Sequence, residues 1–128
     1  MSTILPVSTI TVAATLTGAP FILHGGAKEI TAIADFVYGS GGTTCKAYLQ
    51  TKVGGTWTDI MCFAFALASA KKISVVHEDT PMAPALPPTD GTLADDTILN
   101  GLLGQEVRVK VISVGTYAGG TTIGIEGN

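Results

Sequence analysis

The chain has 128 residues, 46% of them apolar and only 13% charged, with seven basic residues against ten acidic and a net charge of −3. Such apolar content excludes disorder, the lack of a basic stripe argues against a nucleic-acid partner, and no apolar run approaches the roughly 20 residues that span a bilayer. The length predicts a single domain over residues 1–128 that buries a core without staples, and the first residues lack the basic and apolar regions of an export signal.

In chain order, Met1 to Pro6 precedes the first periodic segment and is expected to form an N-terminal arm. From Thr9 to Thr17 the residues alternate, Ile10, Val12, Ala14 and Leu16 on one side and mostly threonine on the other, which predicts a strand with one buried face. Gly18-Ala19-Pro20 ends it, and Gly25-Gly26 makes the next turn. Glu29 to Tyr38 alternates again, with Ile30, Ala32, Ala34, Phe36 and Tyr38 on the expected core side.

Thr43 to Leu67 holds two alternating runs around Val53-Gly54-Gly55-Thr56, the pattern of a β-hairpin closed by a two-residue turn. A straight ladder from that turn sets Cys45, Ala47 and Leu49 on one face with Ala64, Cys62 and Ile60. The other face then carries Lys46, Tyr48, Gln50 and Lys52 beside Trp57, Asp59, Met61 and Phe63. This second face, read as Tyr48, Trp57, Met61, Phe63 and Phe65, is the predicted interaction face. Its apolar bulk calls for cover by a loop, a second sheet or another subunit.

Lys71 to Glu78 predicts another strand. Between Thr80 and Gly91, Pro81, Pro84, Pro87 and Pro88 exclude helix and central strand and predict an extended, polyproline-like crossover. Thr92 to Leu103 reads as one helical turn or as an irregular loop closing the end of a sandwich. Val107 to Ile112 and Thr121 to Glu126 complete seven or eight short strands. The expected fold is all-β, an antiparallel β-sandwich of jelly-roll or Greek-key topology, with a barrel as the alternative.

Candidates for chemistry are few. Cys45 and Cys62 lie diagonally on one face in the straight register and read as two small buried hydrophobes; a disulfide would need a shifted register. His24 and His77 have no partner set suited to general-base work and read as turn or rim residues. Glu78, Asp79, Asp90, Asp95 and Asp96 are the one acidic grouping, without the spacing of a calcium loop, so no metal is expected. No phosphate loop and no nucleophile elbow occurs, and neither a cofactor nor catalytic residues are expected. Trp57, Tyr48, Phe63 and Tyr38 read either as packing or as a sugar-stacking face, which makes a carbohydrate-binding module the alternative function.

The stretch from Ala47-Tyr48-Leu49-Gln50-Thr51-Lys52-Val53-Gly54-Gly55-Thr56-Trp57 to Ile60, followed by Cys62-Phe63-Ala64-Phe65, resembles a hairpin common in small structural proteins of tailed bacteriophages and prophages. Gly115-Thr116-Tyr117-Ala118-Gly119-Gly120-Thr121-Thr122 is similar in character, and the two cover about a third of the chain. The resemblance implies a virion component, a capsid decoration or cement protein that binds the major capsid protein and other copies of itself, or a tail or neck part. It assigns no residue a role. The segments 1–6 and 80–91 are the expected arms of such a protein.

Overall fold

The computed structural model describes residues 2–23, 25–81 and 85–128, and their regular structure is all strand. In chain order the strands are β1 (Ser2–Thr9), β2 (Thr15–Thr17), β3 (Phe21–Ile22), β4 (Glu29–Val37), β5 (Ser40–Gly41), β6 (Thr44–Val53), β7 (Thr56–Phe65), β8 (Ala70–His77), β9 (Glu106–Val114), β10 (Tyr117–Ala118) and β11 (Thr122–Gly127). They form two antiparallel sheets that sandwich one core. The first sheet has the order β1-β11-β4-β8; the second has β2-β9-β6-β7, with β3 also on β9. A short β5-β10 ribbon closes one end.

Alternation builds the core from both sheets. Ile30, Ala32, Ala34 and Phe36 of β4 are fully buried, as the pattern predicts, and face Val107, Val109 and Val111 of β9 and Cys45, Ala47 and Leu49 of β6 across the sandwich. Phe36 stacks on Phe65 at 5.0 Å and meets the edge of Tyr117 at 5.9 Å. Tyr117 plugs the ribbon end and donates its hydroxyl to the Ala66 carbonyl. Gly42 makes room for that ring: its φ is +74°, and a Cβ there would lie within the Tyr117 side chain.

The β6-β7 hairpin has the predicted Gly54-Gly55 turn, with φ of +56° and +83°, and pairs Val53 with Thr56. Its ladder is not straight. Gln50 pairs with Asp59 but Leu49 pairs with Met61, so Ile60 is an extra residue, a β-bulge. Beyond it every side chain of β7 changes face. Met61, Phe63 and Phe65, expected on the outer face, are buried against the first sheet, and Cys62 and Ala64 point outward beside Tyr48 and Lys46. The bulge satisfies the hydrophobic demand that a straight ladder would leave to another subunit.

Two N-terminal expectations are also corrected. Residues 2–6 do not form a free arm: they belong to β1, paired to β11, with Ile4 and Leu5 buried. The expected strand from Thr9 to Thr17 is split, because the chain leaves the first sheet after Thr9 and joins the second only at Thr15. Ile10 is buried in this crossing, but Val12 is 63% exposed, so the alternation there does not mark a core face.

Replacing Phe36 with alanine removes the ring that joins both sheets to the Tyr117 plug. The expected cost is about 3–5 kcal/mol, read by urea denaturation as a lowered midpoint with an unchanged slope.

Candidate functional site

The outer face of the second sheet carries most of the polar chemistry. Glu106, Arg108 and Lys110 of β9, Lys46, Tyr48, Gln50 and Lys52 of β6, and Trp57, Asp59, Cys62 and Ala64 of β7 point to this side. The connection from β8 to β9 folds back across it. Thr92 to Leu103, whose sequence suits one helical turn or a loop, is an irregular loop bridged to β7 at Ile98 and Met61.

Asp59 anchors the loop. Its carboxylate, with no solvent exposure, accepts the backbone N–H groups of Gly91 (2.8 Å), Thr92 (3.0 Å) and Leu93 (3.2 Å) and the Gln50 Nε2 amide (2.9 Å). Three successive N–H groups converging on one anion form a nest, with Gly91 at a φ of +84°. Gln50 also donates to Asp90 (2.7 Å) and accepts from Arg108 Nε (2.8 Å), and Lys110 Nζ lies 2.9 Å from Asp90. Those bonds from Lys110 and Gln50 hold the Asp90 carboxyl below its ordinary range.

The rest of the loop closes the edge of β7. Asp59 N–H donates to the Thr89 carbonyl, Leu99 N–H to Ile60, and Cys62 N–H to Thr97, each at 2.9–3.0 Å. Ala64 N–H donates to the Asp96 carboxylate at 3.0 Å, and Lys72 reaches the same carboxylate from β8 at 2.8 Å. Burial alone would raise the Asp96 pKa, but the Ala64 N–H and Lys72 outweigh it and hold it low. Asp95 pairs with Lys46 at 2.8 Å, a hydrogen bond that raises the lysine pKa. Asp90, Asp95 and Asp96 therefore work as latches, each carboxylate on its own lysine. Among the described residues no three His, Cys, Asp or Glu side chains are placed to hold a metal ion.

The residues of the expected interaction face are dispersed. Tyr48 is 4% exposed beneath the loop, its phenol pushed up to about 12 by burial and by the neighbouring Cys62. Met61, Phe63 and Phe65 lie in the core. Trp57 alone remains half-buried at the surface, with the Arg108 guanidinium 4.4 Å and the Lys52 ammonium 5.9 Å from its ring centre. With Phe63 and Tyr48 buried and Tyr38 packed on Tyr117 at the ribbon end, the four aromatic residues make no common platform for a sugar. Cys45 and Cys62 are free, buried and, because of the bulge, on opposite faces of the sheet; burial pushes the Cys45 thiol up to about 11 and also raises that of Cys62. His77 lies 3.2 Å from Glu29 at the exposed end of β8, Glu78 pairs with Lys28, and Asp79 is exposed in a turn. His24 and residues 82–84 of the crossover lie outside the described residues; Pro81 and 85–88 of that segment are exposed and form no strand.

Among the described residues, the outer face of the first sheet is covered only where β1 folds over Gly124. It presents Val7, 76% exposed, Ile73, 65% exposed, and the half-buried Ile33 and Val75, with Asp35, Lys71 and Glu126 among them. Gly124 lets β1 fold over at this point, since a Cβ there would press on Val7, and a groove of about 420 Å³ runs between Val7 and the pair Asp35 and Lys71. No family model, curated protein or solved structure matches the chain.

Asp59→Ala strands three loop N–H groups and the Gln50 amide, with an expected loss of about 3 kcal/mol or more. Amide exchange at Gly91 to Leu93 is expected to accelerate before any change in β4, read by hydrogen exchange. Acid should unlatch the loop in a defined window. Asp90 and Asp96 have folded pKa values below their ordinary 3.8, so their contribution is complete above that value and is lost as pH falls through the lower folded values. The melting temperature should therefore drop below about pH 4, and the Asp90→Asn, Asp96→Asn double variant should flatten that drop.

Proposed function

We propose that this chain is a structural component of a phage-like virion, a capsid decoration or cement protein that binds neighbouring shell subunits and performs no catalysis. The observation that carries the reading is the contrast between the two outer faces. One is closed by the chain's own loop, with its carboxylates consumed as latches. The other leaves Val7, Ile33 and Ile73 in water beside a groove that also carries Asp35, Lys71 and Glu126. An apolar face rimmed by isolated charges is the composition of a protein-binding surface.

The hairpin that resembles those of phage structural proteins supports the same reading from the opposite side of the molecule, where it holds the core and the loop. A shell-binding protein must keep a fixed shape while presenting area. Two sheets, one buried core and a pinned crossover meet that requirement. The docking surface in this reading is the first sheet, around Val7 and Ile33, and its partner is the major capsid protein.

Purified particles are expected to contain the chain in many copies, located on heads rather than tails when the two are separated. Val7→Asp changes only an exposed side chain, so the melting temperature should hold while particle occupancy falls about tenfold or more. Absence of the chain from particles refutes the reading, and its presence on tails alone assigns it there instead.

A further inference from the structure

The four edges of the sandwich are not alike. The β7 edge is covered by loop residues 89–99. The β2 and β3 edge is short and interrupted by Gly18 to Pro20. The β1 edge is broken by two register shifts and carries Pro6. These are the devices by which sheets avoid pairing with other chains.

The β8 edge has no such cover along Lys71 to Val75. Thr31 of β4 exchanges both backbone hydrogen bonds with Asn128, on the β11 side. Alternate residues of a strand point their N–H and C=O to opposite sides, so Ile30, Ala32, Ala34 and Phe36 bond to β8, through Val76, Ser74, Lys72 and Ala70. The N–H and C=O of Lys71, Ile73, Val75 and His77 therefore point away from the sheet. His77 confirms the direction: its N–H donates to the Asn100 side chain and its carbonyl accepts from Gly101 N–H. Among the described residues nothing pairs the same groups of Lys71, Ile73 and Val75. A cleft of about 270 Å³ opens beside Ile73 and Ser74.

We infer that this edge pairs with the same edge of a second copy, antiparallel about a two-fold axis at Ile73, to give one continuous eight-stranded sheet. The register follows from the residues. With Ile73 opposite the second copy's Ile73, Lys71 falls opposite Val75, and each open N–H meets an open C=O. Moving the axis to Lys71 or Lys72 sets lysine against lysine. Moving it to Ser74 or Val75 brings the second strand against His77, whose backbone groups are already taken. Lys72 does not obstruct the joint, because its ammonium is drawn to the second sheet by Asp96 and the Ala64 carbonyl. Ile33 already pairs directly with Ile73. The symmetric joint therefore extends this pair into a row of four isoleucines across the outer face.

The pairing does not rest on the virion reading and is tested on purified protein. Sedimentation equilibrium over roughly 1 to 500 µM should show a monomer–dimer transition. Amide exchange at Lys71, Ile73 and Val75 should slow as the dimer forms, while Lys72, Ser74 and Val76 are protected at every concentration. Ile73→Pro removes an N–H that the monomer does not use and should weaken dimerisation about 100-fold or more. Ile73→Thr keeps the N–H and should still dimerise. A monomer at every concentration overturns the inference, as does a dimer in which the three amides stay unprotected or one that survives Ile73→Pro. If the proline variant fails to fold, the exchange pattern of the parent protein decides alone.

Discussion

The extra residue at Ile60 is the constraint on which the rest of the molecule depends. A strand has two faces, and a one-residue offset exchanges them. Without the bulge, Met61, Phe63 and Phe65 would face outward and Cys62 and Ala64 inward, exposing apolar side chains that are each worth about 1.5–3 kcal/mol when buried. With it, the large residues fill the core opposite Phe36, while Asp59, on the turn side of the bulge, keeps the outer position that a straight ladder also gives it. One unmatched residue thus sets the core without moving the anchor of the crossover.

Asp59 then accounts for how the described part of a long connection, without a strand or helix of its own, is held in place. Loops of that length cost entropy to order and bring backbone groups that need partners. Here Gly91, Thr92 and Leu93 give their N–H groups to a buried carboxylate, Thr89, Thr97 and Leu99 bond to the open edge of β7, and Asp90, Asp95 and Asp96 pair with Lys110, Lys46 and Lys72. The loop gains partners and the edge loses its capacity to pair with another chain. Burial of this carboxylate is tolerable because three backbone N–H groups and the Gln50 amide are aimed at it.

The all-β class, the buried side of β4 and the Gly54-Gly55 turn were legible because each rests on local signals: period-two alternation and paired glycines. The bulge was not, since a ladder offset is fixed by what lies across the sandwich rather than by the strand itself. Its trace was nonetheless present. A straight register put three large apolar side chains outside, a conflict that pointed to a shifted ladder as readily as to a missing partner. Asp59 was overlooked for a related reason, although aspartate is uncommon inside strands and one between Thr58 and Ile60 asks for a partner. The alternation from Thr9 to Thr17 misled because a chain passing between sheets keeps β geometry without keeping a buried face.

These placements divide the molecule by role. The second sheet uses its outer face and its β7 edge to hold the crossover, so its polar groups are bonded within the chain and have little left to offer a partner. The first sheet carries less of that chemistry: its outer face mixes Val7, Ile33 and Ile73 with the pairs Asp35–Lys71 and Glu29–His77, and among the described residues nothing pairs the outward backbone groups of Lys71, Ile73 and Val75 on its β8 edge. An open edge and an open face on one sheet are not independent, because a strand added to the edge enlarges the face. Pairing at Ile73 would double the apolar row begun by Ile33 and bring two grooves onto one surface, so self-association and shell binding would reinforce each other instead of competing for the same residues. In the proposed shell-binding role, a pair would hold a repeating lattice more strongly than two separate copies, since the second contact would be made at the high effective concentration set by the first.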